Sequence, residues 1–346
     1  MKIMKSLRLL CLVILAGTVM SASVNAQPTS LTKDEMLYYT SLWKGERFED
    51  GRPKVSDDIV ARMRYVSVTE AWQTLNGLSD TEGQGNVSFG EFRRPTYSNQ
   101  YYGGFQMMRE EIVICGRAST IHFLPYRPDL NGLIQQQGNK DGRSRGQYTW
   151  GIDQLQNGDV YVANVCEGIL DASHVGDNLG TSIWTTTGNG AVIRGTLRDL
   201  YGNLDVNPEW NVMVRDFRPQ ANSSNLVIGI NCPIQVGYVT VMPGDIVLGT
   251  REGVVFIPPH LAQQVVEASE KTRMQDIFAH TGVKEGKFTA QQADGGYTPE
   301  MWQQFIKWLL DNAETMGKQF DDPKAAPSPE FIRSYAKELQ SRRAPR

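Results

Sequence analysis

The residues whose types and spacing could do chemistry lie in one stretch, GDNLGTSIWTTTGNGAVIRGTLRD, at positions 176–199. Its GDNLG start can leave backbone N–H groups free where a helix over about 179–186 begins, and the positive end of a helix favours a carboxylate or a phosphate. Glycines bound the apolar run 191–193, which predicts a buried strand. Arg198 and Asp199 follow that strand, so we expect them to meet the glycine turn in one crevice at the end of a parallel sheet.

The spacing of this stretch resembles the signature of the RraA-like family, with Gly176-Asp177, twenty intervening residues and Arg198-Asp199. A second block, GYVTVMPGDIVLGTREGVVFIP, is similar to the strand, Pro-Gly-Asp turn and strand that end the family's domain, and CGRASTIHFLP is a weaker match. The family includes divalent-metal-dependent aldolases for 4-hydroxy-4-methyl-2-oxoglutarate and 4-carboxy-4-hydroxy-2-oxoadipate, together with the regulator of ribonuclease E activity. The resemblance implies an α/β fold, a layered swivelling β/β/α domain of RraA-like type, with added C-terminal helices.

The resemblance also implies a divalent-metal-dependent lyase that acts on a small 2-oxo acid through a pyruvate enolate. Either retro-aldol cleavage or decarboxylation, for example of oxaloacetate, would leave that enolate, whose negative charge a Lewis-acidic cation stabilises. Mg²⁺ (or Mn²⁺) prefers one or two carboxylates with waters in the remaining positions. Asp199 matches the family's aspartate and is the predicted metal ligand.

The remaining residues of the stretch receive roles in binding and proton transfer. Arg198 is predicted to bind the substrate carboxylate or carbonyl oxygen, for which its planar charged fork is suited. Asp177 is predicted to orient a water for proton transfer. A helix N-cap at Asp177 and a surface ion pair between Arg198 and Asp199 are the alternative explanations. The predicted cradle for the other carboxylate oxygen consists of Gly176 and the backbone amides of Asn178, Leu179 and Gly180.

Three departures from the family pattern leave other functions open. Arg194 stands where an acidic residue is frequent, and Thr250 stands where aspartate is usual before the last strand. The aldolases take an acid-x-acid-Asp motif from a neighbouring subunit, and its nearest copy here is QFDD at 319–322, which lacks the first acid. The alternatives are a non-catalytic RraA-like interaction protein and a binding protein for a small carboxylate. Metal dependence of binding and turnover would separate the three.

The N-terminus is typical of a secretory signal peptide. Three basic residues precede the apolar run 9–16, which is too short to span a bilayer, and small residues at 24–26 suit a signal peptidase. We therefore expect residues 1–26 to be removed and a mature protein that begins at Gln27 in the periplasm or outside the cell. Because the formal net charge of −3 becomes more negative on cleavage, neither nucleic acid nor a membrane surface is an expected partner.

The rest of the chain divides into three predicted parts: an N-terminal extension at 27–54, an RraA-like domain at 55–262 and a helical C-terminal extension at 263–346. Residues 78–110 are interpreted as a long loop insertion within the domain. Such loops are usually functional or disordered, and this one either forms an ordered lid or subunit contact or merely covers the sheet edge. The polar stretch at 135–147 is interpreted as a solvated loop.

One C-terminal segment, PEMWQQFIKWLLDNAETMGKQF, has apolar residues at three- and four-residue spacing, which predicts a helix with a broad apolar face. That face must be buried, either within its own subunit or against a neighbour. We favour the neighbour, because RraA-like proteins assemble as trimers or hexamers, and we expect a homotrimer or homohexamer. The face consists of Met301, Phe305, Trp308, Leu309 and Met316.

Cysteine and histidine contribute little to the predicted site. Cys115, Cys166 and Cys232 permit at most one disulfide within the mature chain, and their spacing does not suggest zinc. His174, just before GDNLG, is the histidine most suited to line the site. The other three histidines are expected to be structural or on the surface.

Overall fold

The computed structural model of this chain describes residues 30–78, 97–143, 146–166 and 173–343. The predicted signal peptide at 1–26 lies outside those residues, as do positions 79–96 of the predicted loop insertion. Within the described ranges, no helix is long and apolar enough to cross a membrane.

The described residues contain twelve strands. In chain order they are β1 (Tyr101–Tyr102), β2 (Gln106–Met107), β3 (Ile114–Pro125), β4 (Asp159–Val165), β5 (Ser173–Val175), β6 (Ala191–Leu197), β7 (Val212–Phe217), β8 (Asn225–Ile230), β9 (Ile234–Val236), β10 (Val239–Val241), β11 (Ile246–Thr250) and β12 (Gly253–Ile257).

Ten of these strands form one mixed sheet in the order β1-β12-β11-β3-β4-β6-β7-β2, with β5 beside β6 and β8 beside β3. The central strands β3, β4, β6 and β7 are parallel to one another, and β5 is parallel to β6. The carboxyl ends of the parallel strands therefore meet at one edge of the sheet, where a ligand crevice is expected. Strands β9 and β10 form a separate antiparallel hairpin.

Ten α-helices accompany the sheet within the described residues. They are α1 (Lys33–Tyr39), α2 (Asp57–Met63), α3 (Val68–Gly77), α4 (Pro128–Lys140), α5 (Asp177–Thr187), α6 (Leu200–Leu204), α7 (Ala262–Lys284), α8 (Ala290–Asp294), α9 (Pro299–Asn312) and α10 (Pro329–Arg343).

Successive side chains of the sheet enter different cores on its two faces. In β4, Tyr161 and Ala163 face the helices α4 and α5, whereas Val160 and Val162 pack under the β9–β10 hairpin. A parallel strand that is buried on both faces has a continuous apolar run in its sequence. The layers are hairpin, sheet and helices, so the predicted β/β/α architecture is confirmed.

The segment predicted as an N-terminal extension contributes a buried ion pair to this core. Arg52 and Asp159 both have side chains that are 0% exposed, and they are joined by Nη1–Oδ1 at 3.0 Å and Nη2–Oδ2 at 3.2 Å. Asp50 accepts from Arg52 Nε at 3.2 Å, and the Phe48 ring lies 4.6 Å from the guanidinium carbon. This segment is therefore part of the packed fold rather than an appendage.

The described part of the loop insertion covers the edges of the sheet. Strand β1 pairs with β12, and β2 pairs with β7, so the insertion adds a short strand at each end of the strand order. This agrees with coverage of the sheet edge, and a role as a lid or subunit contact stays a prediction. The solvated loop predicted at 135–147 is partly wrong, because residues 135–140 belong to α4. Gly138 of that helix is buried beneath the ring of Trp150, where a Cβ would lie 2.2 Å from the ring.

The apolar face of α9 is buried by the protein's own chain, so our expectation that a neighbour covers it is wrong. Phe305 and Leu309, both 0% exposed, form one core with Met274 of α7 and with Ile332 and Leu339 of α10. The C-terminal helices thus form a compact unit that packs on α7.

Candidate functional site

The strand β5 ends where α5 begins, and Gly176 is the N-cap of that helix without a side-chain cap. The amide of Gly180 donates to the carbonyl of Gly176 at 2.9 Å as the first hydrogen bond of the helix. The amide of Asn178 donates to Asp177 Oδ1 at 2.8 Å. Leu179 N–H has no hydrogen-bond acceptor among the described residues, so of the three amides predicted to bind a carboxylate it is the free one.

The predicted Arg-Asp pair follows β6 directly. Arg198 N–H donates to the carbonyl of Val175 at 3.0 Å, which keeps it in register with the end of β5. Asp199 leaves the strand in the left-handed conformation, with φ 55° and ψ 47°. Arg198 Nη1 lies 3.3 Å from Asp199 Oδ2, and each of the two side chains is 39% exposed. Both charged groups are therefore open to a ligand.

The glycine turn and the Arg-Asp pair converge at Gly176. A Cβ atom on Gly176 would lie 2.5 Å from Asp199 Oδ2 and 3.0 Å from Arg198 Nε. Since only glycine leaves this space, the carboxylate and the guanidinium lie directly against the start of α5. The structure thus brings Gly176 together with Arg198 and Asp199, which follow it by more than twenty positions in the sequence.

Asp177 lies on the other side of this turn. Its Oδ2 would be 2.5 Å from a Cβ on Gly202, so its carboxylate packs against α6 rather than projecting freely. Its Oδ1 already accepts the amide of Asn178. The side chain is half-buried, which leaves it partly accessible at the rim of the site.

Two sets of polar groups beside the site were missed by sequence reasoning. Asn203 of α6 is wholly buried, and its Nδ2 donates to the carbonyls of Arg198 at 3.0 Å and Asp199 at 3.3 Å. At the end of the neighbouring strand β7, Arg218 Nε lies 3.0 Å from Asp216 Oδ2, and this hydrogen bond lowers the pKa of the Asp216 carboxyl. A polar residue on a short helix gives no pattern that would have marked Asn203.

The suggestion that His174 lines the site is not supported by its position. His174 is 2% exposed, its Nε2 is hydrogen-bonded to the hydroxyl of Tyr161 at 2.6 Å, and its ring stacks on the Tyr161 ring with 10° between the planes. Burial lowers the pKa of His174 to about 3, so the ring is neutral at ordinary pH. It belongs to the core beneath the site.

Because His174 is buried and neutral, we expect the free energy of unfolding to decrease in acid. The unfolded chain binds a proton at His174 near pH 6.5, whereas the folded chain binds it only near pH 3. The contribution of neutral His174 to the free energy of unfolding is therefore complete above pH 6.5. It decreases as the pH falls from 6.5 towards 3. Between pH 7 and pH 5, the free energy of unfolding of wild type is expected to fall by about 2 kcal/mol more than that of His174→Gln. Glutamine is chosen because it keeps a hydrogen-bond partner for Tyr161. Urea unfolding at the two pH values measures this difference, and equal losses would contradict it.

The donor set fits a magnesium or manganese ion that keeps several waters better than a metal held by several histidine or cysteine ligands. In the described ranges, no three Asp, Glu, His or Cys side chains come together as a protein cage would require. Mg²⁺ commonly takes one or two carboxylates and keeps several waters. Asp199, exposed and next to the side-chain-free Gly176, is a carboxylate of this kind.

Residues 67–256 match the family model described as RraA-like, Aldolase/RraA. Two curated relatives align over parts of their length. A putative 4-hydroxy-4-methyl-2-oxoglutarate aldolase of Halalkalibacterium halodurans is 29% identical over 87 residues, or 25% of this chain and 40% of that protein. Protein DlpA of Legionella pneumophila is 27% identical over 189 residues, or 54% of this chain and 28% of that protein. The chain thus spans less than half the length of either relative.

Two solved structures have a similar fold. RraAS2 of Streptomyces coelicolor, described as an unusual member of the RNase ES inhibitor RraA family, superposes with a TM-score of 0.51 at 20% identity, over 66% of this chain and 98% of that one. An uncharacterized protein of Pseudomonas syringae pv. tomato superposes with a TM-score of 0.52 at 18% identity, over 72% of this chain and 98% of that one. At this identity the likeness concerns the fold alone.

Proposed function

We propose, from the premise that this chain belongs to the RraA-like family, that it is a divalent-metal-dependent lyase for a small 2-oxo acid. The reaction would be retro-aldol cleavage or decarboxylation that leaves pyruvate. The family includes aldolases, and the relative in Halalkalibacterium halodurans is named as one. Its substrate is a 2-oxo dicarboxylate, which is why we begin with this chemical class.

The observation that carries the proposal is the convergence at Gly176. The Arg198 guanidinium and the Asp199 carboxylate border the space that a side chain at position 176 would fill, and Gly176 is the N-cap of α5, whose first turn carries the Leu179 amide. A 2-oxo acid offers a carboxylate and an adjacent carbonyl oxygen, and these match a cationic fork and a helix N-terminus.

Each residue then has a role that follows from its position. Arg198 binds the substrate carboxylate or carbonyl oxygen and stabilises negative charge there as it develops. The Leu179 amide holds the remaining carboxylate oxygen at the positive end of α5. Asp199 would hold Mg²⁺ or Mn²⁺, which when bound supplies Lewis-acid stabilisation at the 2-oxo group. Asp177, at the rim, orients a water that returns a proton to the product carbon.

The direct test is release of pyruvate from oxaloacetate and from 4-hydroxy-2-oxo acids, with Mg²⁺ or Mn²⁺ and after chelation. Because metal ions alone promote decarboxylation of oxaloacetate, the rate must be compared with a protein-free control at the same metal concentration. We expect metal-dependent release above this control that chelation abolishes. Rates equal to the control for every substrate would remove the lyase proposal.

One observation favours the second candidate, a binding or interaction protein without turnover. Asp322, in the nearest copy of the second acidic motif of the aldolases, accepts from the hydroxyl of Tyr65 at 2.9 Å and from the amide of Lys324 at 2.9 Å. Its carboxylate is thus engaged in holding the C-terminal unit to the turn that follows α2. Binding of pyruvate or oxalate without pyruvate release from any tested substrate would support this candidate.

We further propose that the protein is exported and acts as a homotrimer or homohexamer. The tripartite character of residues 1–26 supports export, and N-terminal sequencing of the mature protein should give a start at or near Gln27. Recovery of intact Met1 in a membrane fraction would contradict it.

Assembly is proposed from family membership. Light scattering should give a mass of three or six chains for the mature protein, and a monomer would exclude this assembly. Since the apolar face of α9 is buried within one chain, the contacts between chains are expected to lie elsewhere.

A further inference from the structure

Asn203 is a buried polar residue whose side-chain amide donates to two backbone carbonyls of the candidate site. It is 0% exposed. Its Nδ2 donates to the carbonyl of Arg198 at 3.0 Å and to that of Asp199 at 3.3 Å, and its Oδ1 accepts from Trp210 Nε1 at 3.2 Å. Both amide hydrogens and the amide oxygen therefore take part in hydrogen bonds, so the buried side chain leaves no polar atom unpaired.

The two carbonyls that Asn203 binds belong to an uncommon turn. Asp199 has φ 55°, a left-handed conformation that non-glycine residues other than Asn and Asp seldom adopt. Here the chain leaves the ladder of β6. The Asp199 carbonyl accepts the backbone N–H of Asn203 at 2.9 Å as well as its Nδ2, whereas the Arg198 carbonyl accepts Asn203 Nδ2. A residue that satisfies both of them holds the turn, and with it the direction in which the Asp199 side chain leaves the backbone.

Asn203 is itself held from two sides. Trp210 is a wholly buried core residue, so its indole N–H is a fixed donor to Asn203 Oδ1. On the opposite side, a Cβ on Gly180 would lie 2.3 Å from Asn203 Oδ1, which means that α5 packs directly on this amide. The helix that carries the free Leu179 amide and the turn that carries Asp199 therefore rest on the same side chain.

We propose that Asn203 is a positioning residue that fixes the Asp199 carboxylate and the start of α5 relative to each other, so that both contact one bound metal and substrate. This inference rests on the proposed function, since it assigns Asn203 its role through the metal ligand Asp199. It predicts that loss of the Asn203 amide weakens metal binding even in protein that remains folded.

A matched control is available in Asn211, which is also 0% exposed. Its Nδ2 donates to the carbonyls of Arg109 at 2.7 Å and Ile112 at 2.6 Å, and its Oδ1 accepts from Arg109 N–H at 2.9 Å. Its Oδ1 also accepts from Val212 N–H at 2.9 Å. It therefore holds a loop through a similar set of hydrogen bonds, and none of those described reaches the site. Asn203→Leu and Asn211→Leu each remove one such amide at similar side-chain volume.

The experiment measures the Kd for Mn²⁺ by electron paramagnetic resonance, and the midpoint of urea unfolding, for wild type and both variants. We expect Asn203→Leu to weaken Mn²⁺ binding at least tenfold and Asn211→Leu to leave the Kd within twofold of wild type, although both lower the urea midpoint. Equal Kd values in folded Asn203→Leu and wild type would overturn the inference and leave the metal site intact. Wild type that binds no Mn²⁺ would overturn the metal site and this inference together.

If Asn203→Leu does not fold, Trp210→Phe decides the matter. This change removes the indole N–H that anchors Asn203 Oδ1 but retains a buried aromatic ring. We expect it to weaken Mn²⁺ binding by less than the roughly 10–100-fold that loss of an outer-shell partner typically costs, because Trp210 acts through Asn203. A Kd equal to that of wild type in folded Trp210→Phe would count against the positioning role.

Discussion

Asp199→Asn is expected to lower metal-dependent turnover about a hundredfold to a thousandfold, because it removes the charge that would hold the cation at the reacting oxygen. Asparagine has nearly the same size and tolerates the left-handed conformation that Asp199 adopts. The variant should therefore remain folded and keep the wild-type urea midpoint. Steady-state pyruvate release at saturating Mn²⁺ measures the effect.

Asp205→Asn is the matched control, because it removes the same single negative charge from an exposed aspartate at the far end of α6. It should retain wild-type turnover. Arg198→Lys adds a second comparison, because it keeps the positive charge but loses the planar fork that binds a carboxylate through two nitrogens. Turnover of Asp199→Asn equal to that of wild type would exclude Asp199 as the metal ligand.

Asp159→Asn is expected to destabilise the fold by about 3–5 kcal/mol, since it leaves the Arg52 guanidinium buried without its main carboxylate. The two side chains are 0% exposed and share two hydrogen bonds, so no water can replace the missing charge. Asp50, whose side chain is 40% exposed, remains a partner only through Arg52 Nε. Urea unfolding gives the free energy of unfolding.

The exposed pair of Arg127 and Asp129 provides the comparison for this effect. Their side chains are 71% and 64% exposed, and such pairs contribute little to stability. Asp129→Asn should leave the urea midpoint unchanged. A double variant, Arg52→Leu with Asp159→Leu, should recover much of the lost stability, because no charge is then buried. Similar midpoints for wild type and Asp159→Asn would show that the ion pair is not needed.

The sequence was sufficient to predict the order of elements around the candidate site. Glycine turn, helix and strand between 176 and 199 each have a local signal: glycines at the boundaries, a short helix and an apolar run of strand length. The strand at Ser173–Val175 was not predicted. The helix predicted at about 179–186 is observed as Asp177–Thr187, and the strand predicted at 191–193 extends to Leu197. The family resemblance supplied the layered architecture, which local patterns alone would not have given.

Other predictions failed where tertiary contacts outweighed local pattern. Residues 135–140 are polar and contain a glycine, yet they are helical because Ile134 and Gly138 pack under Trp150. The apolar face of α9 had no visible partner in the sequence, since its partners on α7 and α10 lie tens of residues away. In both cases the contact that buries the residues joins segments far apart in the sequence, and the spacing of apolar residues within one segment does not reveal it.

The site itself was predicted in part. Residue types and spacing were enough to expect that Arg198 and Asp199 meet the glycine turn, and contacts at Gly176 confirm that convergence. Which amides remain free was beyond the sequence, because the bond from Gly180 N–H to Gly176 depends on where α5 begins. Asn203 was missed for a related reason, because its role depends on the left-handed conformation of Asp199, which no residue pattern predicts.

Among the described residues, the side chains that lie against Gly176 belong to the same chain as the turn, which has a consequence for mixed assemblies of the proposed oligomer. Arg198 and Asp199 contact the turn of their own subunit, and Asn203 binds their carbonyls from the next helix. Two chains that are each defective in a different one of these residues therefore cannot complement each other when they assemble together. Oligomers formed from wild-type and Asp199→Asn chains should lose activity in direct proportion to the mutant fraction, with each subunit working or failing alone.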